Sequence, residues 1–359
     1  MRKLQRRIRN LLLIVLVLLV IFAVWATIFN PSSSVVNADS KENVSIAVTG
    51  DVMFARNMAG VLNTDSSPFA GVSDVTSVVD LLLINFENAA TSSENAVKGD
   101  VPLKCDPSYV PLAKANNVTV AALANNHVFD YGAEGMRDTV SNLKAANITV
   151  LGAGNTAEEA HQPVVKDING RKITILNYMD SQNFAEYSQE VMPIAKGSNP
   201  GYSAYSSDDA RKQIEKHNDS DLIIAFMHYG NEYSFSPNEY QINMSHELID
   251  LGADVVIGAH PHVPQGIEMY NGKPIFYSLG NFMFDLGRED TLSDYFVEMD
   301  MVDDHVDCTV YPVRISGYLP EHMDSEDGKA LLSSLTPQCS QMNITDNGVG
   351  KLTFNLTDN

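Results

Sequence analysis

The stretch LANNHVFDYG, residues 123–132, ends an apolar run abruptly with two asparagines and a histidine. Asp130 follows His127 by three residues, and Gly132 follows Asp130 by two. Asparagine is a common turn residue, and a single histidine after a strand is more often structural than functional. This polar cluster is therefore informative only if other strands of the chain end in the same way.

Four other apolar runs also end in, or are directly followed by, an acidic or histidine side chain: VSIAVTG (44–50), LLLINF (81–86), DLIIAFMH (221–228) and DVVIGAH (254–260). Parallel strands of an α/β sheet place their carboxyl ends along one edge, where ligands bind. Residues far apart in the chain are therefore expected to converge in space. With the first cluster, they are Asp51, Glu87, Asn126, His127, His228, His260 and His262.

Helical patterns alternate with these strands over residues 134–147, 208–218 and 238–252. This alternation predicts an α/β fold with buried, largely parallel strands. The stretch 163–179 predicts a β-hairpin with Asn169-Gly170 as its turn, and two alternating strands over 295–302 and 306–315 predict an antiparallel pair. The sheets are therefore expected to be mixed.

The residue types at the strand ends suit a metal centre. Aspartate, glutamate and asparagine offer oxygen ligands, and histidine offers nitrogen. Such a mixed set suits Mn, Fe or Zn better than Ca, which prefers an all-oxygen shell. More ligands converge than one ion needs, whereas two ions about 3.5–4 Å apart, bridged by one carboxylate, would use them all.

The first 30 residues predict a membrane anchor. Five Lys or Arg precede position 10, and an uncharged stretch of 19 residues follows. That length can span a bilayer, and the basic flank should stay in the cytoplasm. A signal peptide cleaved after Ala38 is the competing interpretation, although its apolar region would be unusually long. Both interpretations place the remainder of the chain outside the cytoplasm, after a polar linker over residues 31–43.

The formal charge of −21, from 45 acidic and 24 basic residues, argues against a nucleic-acid partner. Phosphate backbones require clustered Lys and Arg on the surface that binds them, whereas acidic residues predominate over the chain as a whole. The acidity instead favours solubility. An anionic substrate would need a bound cation to offset the field.

The three cysteines, Cys105, Cys308 and Cys339, fit no zinc motif and no dense disulfide framework. Cys308 and Cys339 could pair in an oxidising compartment, or all three could be unpaired structural residues. The last segment, 317–359, is rich in Ser, Asp, Asn and Thr, with a helical signal only around 328–335. It is expected to be peripheral.

The ordered motifs resemble those of the CapA family of poly-γ-glutamate capsule synthesis proteins, which is similar to the calcineurin-like metallophosphoesterases. The resemblance covers about residues 44–316. It implies a four-layer α/β/β/α sandwich with two metal ions at the sheet edge, an anionic polymer or phosphoester as substrate, and other capsule synthesis membrane proteins as partners. Its motifs are Gly-Asp (50–51), Asn-x-Glu (85–87), Asn-Asn-His-x-x-Asp-x-Gly (125–132), His-x-Gly-x-Glu (228–232), Gly-Ala-His-Pro-His (258–262) and Ser-Leu-Gly-Asn-Phe (278–282).

The resemblance also implies roles for individual residues. The first metal would be bound by Asp51 and His262, the second by Asn126, His228 and His260, with Glu87 bridging the two. His127 would contact the substrate and protonate the leaving group, with its ring oriented by Asp130. The remaining predicted substrate contacts are Arg56, Glu232 and Asn281.

One departure from the phosphoesterase pattern leaves two functions open. Met53 stands where those enzymes commonly carry a histidine of the first metal site. The intact His127 and Asp130 favour a metal-dependent hydrolase, whereas Met53 favours a non-catalytic metal-binding component of polymer assembly or export.

Overall fold

The structure is a computed structural model that describes residues 42–64, 67–337 and 339–356. The predicted membrane anchor, and the predicted linker except for its last two residues, lie outside the described residues. Within the described part of the chain, no helix combines the length and the apolar character needed to cross a bilayer.

The helices confirm the positions predicted from apolar spacing. One of them has clear end signals: Asn238 and Gln241 form a capping box at the start of Glu239–Leu251, and Gly252, with φ 112°, ends that helix. In chain order the α-helices are α1 Met58–Leu62, α2 Ser73–Thr76, α3 Val110–Ala115, α4 Gly132–Ala145, α5 Ala157–Ala160, α6 Ser207–Lys216, α7 Glu239–Leu251 and α8 Ser325–Leu335, and short 3-10 helices span Ala70–Val72, Pro107–Tyr109 and Glu289–Thr291.

The strands are numbered in chain order. They are β1 Val44–Val52, β2 Leu81–Phe86, β3 Ala89–Ala90, β4 Lys104–Cys105, β5 Val120–Ala122, β6 Thr149–Leu151, β7 Ala153–Gly154, β8 Val164–Ile168, β9 Arg171–Met179, β10 Gly201–Tyr202, β11 Leu222–His228, β12 Val255–Ala259, β13 Ile267–Tyr270, β14 Lys273–Phe276, β15 Asn281–Met283, β16 Ser293–Val302, β17 His305–Ser316, β18 Leu319–His322, β19 Asn343–Ile344 and β20 Gly350–Asn355.

The larger sheet has ten strands and is mixed. Its main path runs β19-β20-β17-β16-β1-β2-β5-β6, with β15 beside β1 and β18 beside β17. The strands β1, β2, β5 and β6 are mutually parallel, and β15 also runs parallel to β1. The pairs β1–β16 and β16–β17 are antiparallel, and the second is the pair predicted over 295–302 and 306–315.

The smaller sheet has six strands in the order β13-β14-β12-β11-β9-β8. Its centre is parallel, and β8 and β9 form the predicted hairpin at one edge. Asn169 and Gly170 both have positive φ, 54° and 75°, as a two-residue turn of type I′ requires. The hairpin prediction is therefore confirmed.

Three apolar clusters arrange the two sheets and the helices in four layers. Side chains from helices, such as Met58 and Leu143, pack on the outer face of the larger sheet. Ile46 of β1 and Ile224 of β11 belong to the cluster between the sheets. Leu248 of α7 packs with the outer face of the smaller sheet. The order helix, sheet, sheet, helix confirms the α/β prediction.

The segment after residue 317 is not peripheral, so that prediction is wrong. β20 pairs with β17 over six residues, and β18 pairs with the other end of β17. Leu352 and Phe354 of β20 are buried between the sheets together with Leu332 and Leu335 of α8. Alternate residues of β20 point inward, a period of two within a polar composition.

Candidate metal centre

The register of the larger sheet brings two carboxylates together. Asp51 near the end of β1 lies opposite Asn85 of β2, and Glu87 follows two residues later. The Asn85 amide donates to Asp51 Oδ1 at 2.7 Å and to Glu87 Oε2 at 3.0 Å. All three side chains are buried. Asn85 therefore fixes the spacing of two acidic groups that would otherwise repel each other.

The smaller sheet supplies the histidines. His228 ends β11 opposite Ala259, and His260 and His262 directly follow β12. His260 and His262 have positive φ, 100° and 57°. Such backbone angles are unfavourable for residues other than glycine, and they concentrate at functional sites where the surrounding structure imposes them. Here they turn the chain at the sheet edge on which the carboxylates lie.

These side chains form two groups that could each hold a metal ion. One consists of Asp51, Glu87 and His262, and the other of Glu87, His228 and His260. Within each group, one ligand atom per residue lies within 4.8 Å of the others. The Asn126 amide oxygen lies 3.0 Å from His228 Nε2, beside the second group. Glu87 is common to both groups, which is the arrangement that a bridging carboxylate requires.

The buried, unpartnered atoms and shifted pKa values of the two groups are those expected of metal ligands. Burial, reinforced by the neighbouring charge of Asp51, raises the pKa of Glu87 well above its usual value. Burial lowers the pKa of His260 to about 3 and that of His228 well below its usual value. Among the described residues, Glu87 Oε1 and His260 Nδ1 are buried without a hydrogen-bond partner. A buried polar atom without a partner is costly, and a divalent ion would satisfy both atoms.

His262 is held from two sides. Its Nδ1 lies 2.9 Å from Asn281 Oδ1 and 3.1 Å from Asp51 Oδ2. Burial by itself would lower the pKa of His262, but the hydrogen bond and charge of Asp51 outweigh it, and the pKa is raised. Asn281 is buried, and its amide donates to the carbonyls of His262 and Thr291. Contrary to the prediction that it contacts substrate, Asn281 therefore orients His262.

His127 and Asp130 form a close pair beside the second group. His127 Nδ1 lies 2.6 Å from Asp130 Oδ2, which also accepts the Leu103 backbone N–H at 2.6 Å. Burial lowers the pKa of His127, although Asp130 opposes this shift. Because Nδ1 is engaged by Asp130, the other ring nitrogen, Nε2, remains for a substrate.

A cavity of about 520 Å³ lies over the two groups. His127, His260 and His262 form part of its wall, whereas Asp51, Glu87 and His228 lie buried beneath it. Of the predicted substrate contacts, Arg56 and Glu232 line the cavity. Arg56 is paired with Asp285 and lies over the Phe284 ring at 5.7 Å. The three histidines are therefore accessible from this cavity.

Several residues of this site carried no prediction. Asn85 lies inside the quoted Asn-x-Glu motif, so the motif itself indicates a role for its amide in the site. Lys98, Tyr187 and Tyr233 line the cavity from loops, where no periodicity marks them. No sequence pattern distinguishes these three from ordinary surface residues.

The cysteines take no part in the site. Cys105, Cys308 and Cys339 are all buried free thiols. Burial raises the pKa of Cys105 to about 12, and Cys308 and Cys339 both belong to the cluster between the sheets. The structure therefore agrees with the second alternative, in which all three cysteines are unpaired.

Asp294 is a buried carboxyl group with no assigned role. Among the described residues, neither of its oxygens has a hydrogen-bond partner. It packs against Gly280, where an added Cβ atom would come within 1.7 Å of Asp294 Oδ1. Burial raises the pKa of Asp294 well above its usual value. The folded protein therefore keeps a proton on Asp294 at pH values where the unfolded chain has lost it.

The Asp294→Asn variant should therefore gain stability over the wild type as the pH rises. The wild type loses up to about 1.4 kcal/mol of unfolding free energy per pH unit from about pH 4 up to the folded pKa, because its folded state binds one proton more. Asparagine cannot titrate and avoids this loss. Urea unfolding of metal-free protein between pH 4 and 8 measures the difference, and Asp167→Asn, at an exposed position, is the control. Parallel pH profiles for Asp294→Asn and the wild type would refute the assignment.

The fold places the chain in a known structural class. It is similar to a putative 5′-nucleotidase from Staphylococcus aureus in complex with α-ketoglutarate, with a TM-score of 0.50 and 15% identity. The match covers 82% of this chain and 58% of that chain. This likeness shows that the two chains share a fold.

The sequence comparisons give the family. The model of the bacterial capsule synthesis protein PGA_cap matches residues 45–286. The PGA biosynthesis protein CapA of Bacillus subtilis (strain 168) is 30% identical over 88% of this chain and 83% of its own length. The capsule biosynthesis protein CapA of Bacillus anthracis is 30% identical over 95% of this chain and 85% of its own length. The chain belongs to the PGA_cap family.

Proposed function

We propose that this protein acts in capsule or poly-γ-glutamate synthesis as a membrane-anchored, extracytoplasmic hydrolase that depends on two divalent metal ions. The observation that carries the proposal is the pair of ligand groups sharing Glu87, with His127 and Asp130 beside them. The relatives named above supply the biological context. The substrate would be a phosphoester or an amide link of the anionic polymer.

The ligand groups fit Mn, Fe or Zn, because each combines carboxylate oxygen with imidazole nitrogen. Asp51 and His262 would hold one ion, and Asn126, His228 and His260 the other, with Glu87 shared. Such ions, when bound, supply Lewis acidity and activate water at neutral pH. The cations would also offset the net charge of −21 where an anionic substrate binds.

The chain's own residues orient the substrate and move one proton. The cavity admits the scissile group to the wall formed by His127, His260 and His262. Asp130 accepts the Nδ1 proton of His127 and favours the protonated ring, whose Nε2–H can then be donated to the leaving group. Arg56 on the cavity wall contributes positive charge, which Asp285 partly balances.

A non-catalytic role in polymer assembly or export is the second candidate, favoured by Met53. Its side chain is fully buried, and it gives the first group no ligand. That group therefore has three protein ligands, Asp51, Glu87 and His262. A binding protein would bind metal and γ-glutamyl polymer without turning the polymer over.

One experiment separates the two candidates. Purified protein is analysed for bound metal after incubation with Mn, Fe or Zn, and then assayed on phosphoesters and on a γ-glutamyl polymer. Hydrolysis that chelation removes and metal restores supports the enzyme. Polymer binding without hydrolysis of any substrate supports the assembly role, and absence of bound metal would contradict both.

The anchored orientation makes its own prediction. An alkaline phosphatase reporter fused after residue 40 should be active, because the basic residues before position 10 keep that end in the cytoplasm and the apolar stretch carries the fusion point across. A fusion after residue 9 should be inactive. Enzyme activity is measured in intact cells, and an inactive reporter after residue 40 would refute this orientation.

A further inference from the structure

Lys98 is an enclosed lysine that the proposed function does not use. Its side chain is 4% exposed, although it lines the cavity beside His127. Lysine is almost never fully buried unless it is paired. The contacts of Lys98 therefore identify the residues that its charge stabilises.

The Lys98 ammonium contacts two residues next to His127 in the site, Asn126 and Asp130. It donates to the Asn126 carbonyl at 3.2 Å and lies 3.7 Å from Asp130 Oδ1. The Asn126 carbonyl belongs to the peptide group that joins a candidate metal ligand to His127. Asp130 Oδ1 has no hydrogen-bond partner among the described residues, whereas Oδ2 takes His127. The ring of Tyr187 covers the ammonium at 5.3 Å.

The loop that carries Lys98 is fastened to the same aspartate. Val97 N–H donates to the Asp130 carbonyl at 2.8 Å, and Leu103 N–H donates to the Asp130 side chain at 2.6 Å. Between them, Val101 has φ 44°, an unfavourable angle for a β-branched residue. The hydrogen bonds of Val97 and Leu103 tie both sides of this turn to Asp130 and so fix the loop beside the cavity.

We propose that Lys98 is a positioning residue that acts through His127, an inference that rests on the proposed hydrolase. The ammonium compensates the buried charge on Asp130 and holds the Asn126–His127 peptide. Without it, Asp130 would retain an uncompensated buried charge, which is costly enough to shift the Asp130 side chain away from His127. The His127 ring would then lose its fixed direction toward the leaving group. The ligand groups contain no atom of Lys98, so metal binding should not depend on it.

Lys104, the first residue of β4 directly after this loop, offers a matched control. It also donates to a backbone carbonyl, that of Ser93, at 2.9 Å, and it is paired with Glu94 at 2.6 Å. It also lies over a tyrosine ring, that of Tyr131, at 5.2 Å. These contacts match those of Lys98 in type, but they do not involve Asn126, His127 or Asp130. Lys104→Met therefore removes the same kinds of interaction without touching the site.

The kinetic test uses the full chain in mild detergent with Mn and two phosphoesters of different leaving-group pKa. Lys98→Met should lower kcat about 10–100-fold for the poor leaving group, clearly less for the activated one, and leave KM and metal content unchanged. In a His127→Ala background, Lys98→Met should add little, because both act on one proton transfer. Equal loss on both substrates, or losses that multiply in the double variant, would overturn the proposal. Lys104→Met should match the wild type.

A second variant covers the case in which Lys98→Met does not fold. Lys98→Ala leaves space for a small amine, so ethylammonium should restore part of the lost rate. Ethanol at the same concentration, and potassium chloride at the same ionic strength, should not. Equal effects of all three additives would overturn the role of the charge.

A spectroscopic test is independent of hydrolysis. The 2.6 Å bond from His127 Nδ1 to Asp130 should give a far-downfield proton resonance, identified by its loss in His127→Ala. The resonance should shift or broaden in Lys98→Met or Lys98→Ala and remain in Lys104→Met. If the wild type hydrolyses no substrate but the resonance still shifts in the Lys98 variants, the hydrolase is refuted and the positioning role is supported. An unchanged resonance, or none in the wild type, would overturn the positioning role.

Discussion

Replacing His127 by alanine should slow hydrolysis of a phosphoester with a poor leaving group by about 10²–10⁴-fold, the usual cost of a lost general acid. Activated aryl phosphates should lose much less, because their leaving groups depart without a proton. Metal content should stay at the wild-type value, since neither ligand group includes His127. Steady-state rates on two substrates of different leaving-group pKa, together with metal analysis, measure these effects.

His161 provides the matched control for this variant. Its Nδ1 lies 2.8 Å from Asp209 Oδ2, the same type of contact that His127 makes with Asp130. His161 does not line the cavity. His161→Ala should therefore leave both rates unchanged. An equal loss on both substrates in His127→Ala, or a loss of metal, would contradict the acid role.

Replacing Glu87 by glutamine should abolish binding of both ions, because Glu87 is the only residue common to the two ligand groups. His228→Ala should remove only one ion, since Asp51, Glu87 and His262 remain. Metal content per chain separates these outcomes directly. Unfolding in Mn gives a second measure: an ion at 100 times its dissociation constant stabilises the folded state by about 2.7 kcal/mol. Glu87→Gln should lose this stabilisation at both sites.

In metal-free buffer, Glu87→Gln should be at least as stable as the wild type at neutral pH. Burial and Asp51 raise the pKa of Glu87, so the charged carboxylate is a cost that glutamine lacks. Glu232→Gln, which changes an exposed carboxylate on the cavity wall, should bind metal normally. Two ions retained in Glu87→Gln, or both lost in His228→Ala, would show that Glu87 does not bridge.

The sequence was sufficient to predict the convergence of residues at strand ends. Asp51, His228 and His260 lie at the sheet edge because parallel strands share a direction, a rule that needs no tertiary detail. The same rule could not distinguish metal ligands from residues that orient those ligands. Asn281 stands in a motif like a substrate contact, yet its amide is committed to His262 and Thr291. That commitment depends on a β1–β15 pairing that no local pattern predicts.

Two other features could not be predicted for different physical reasons. Lys98 is enclosed by a loop whose conformation depends on three contacts to Asp130, and nothing in the spacing of nearby residues indicates burial. The prediction that the segment after residue 317 is peripheral failed at β20, because its polar composition does not reveal a buried strand. The stretch 350–355 does alternate inward and outward residues, but the polar residues around it concealed the period.

The central place of β1 in the larger sheet limits when the protein can fold. β1 pairs with β2 on one side and with β16 on the other, so Val44 meets Met301 near the far end of the chain. Pairings this distant in sequence form slowly, because a long loop must close before any contact stabilises it. A chain cut before residue 293 would contain every candidate metal ligand but would leave an edge of β1 open to other strands. Such a nascent chain would need protection from aggregation until β16, Ser293–Val302, has been synthesised.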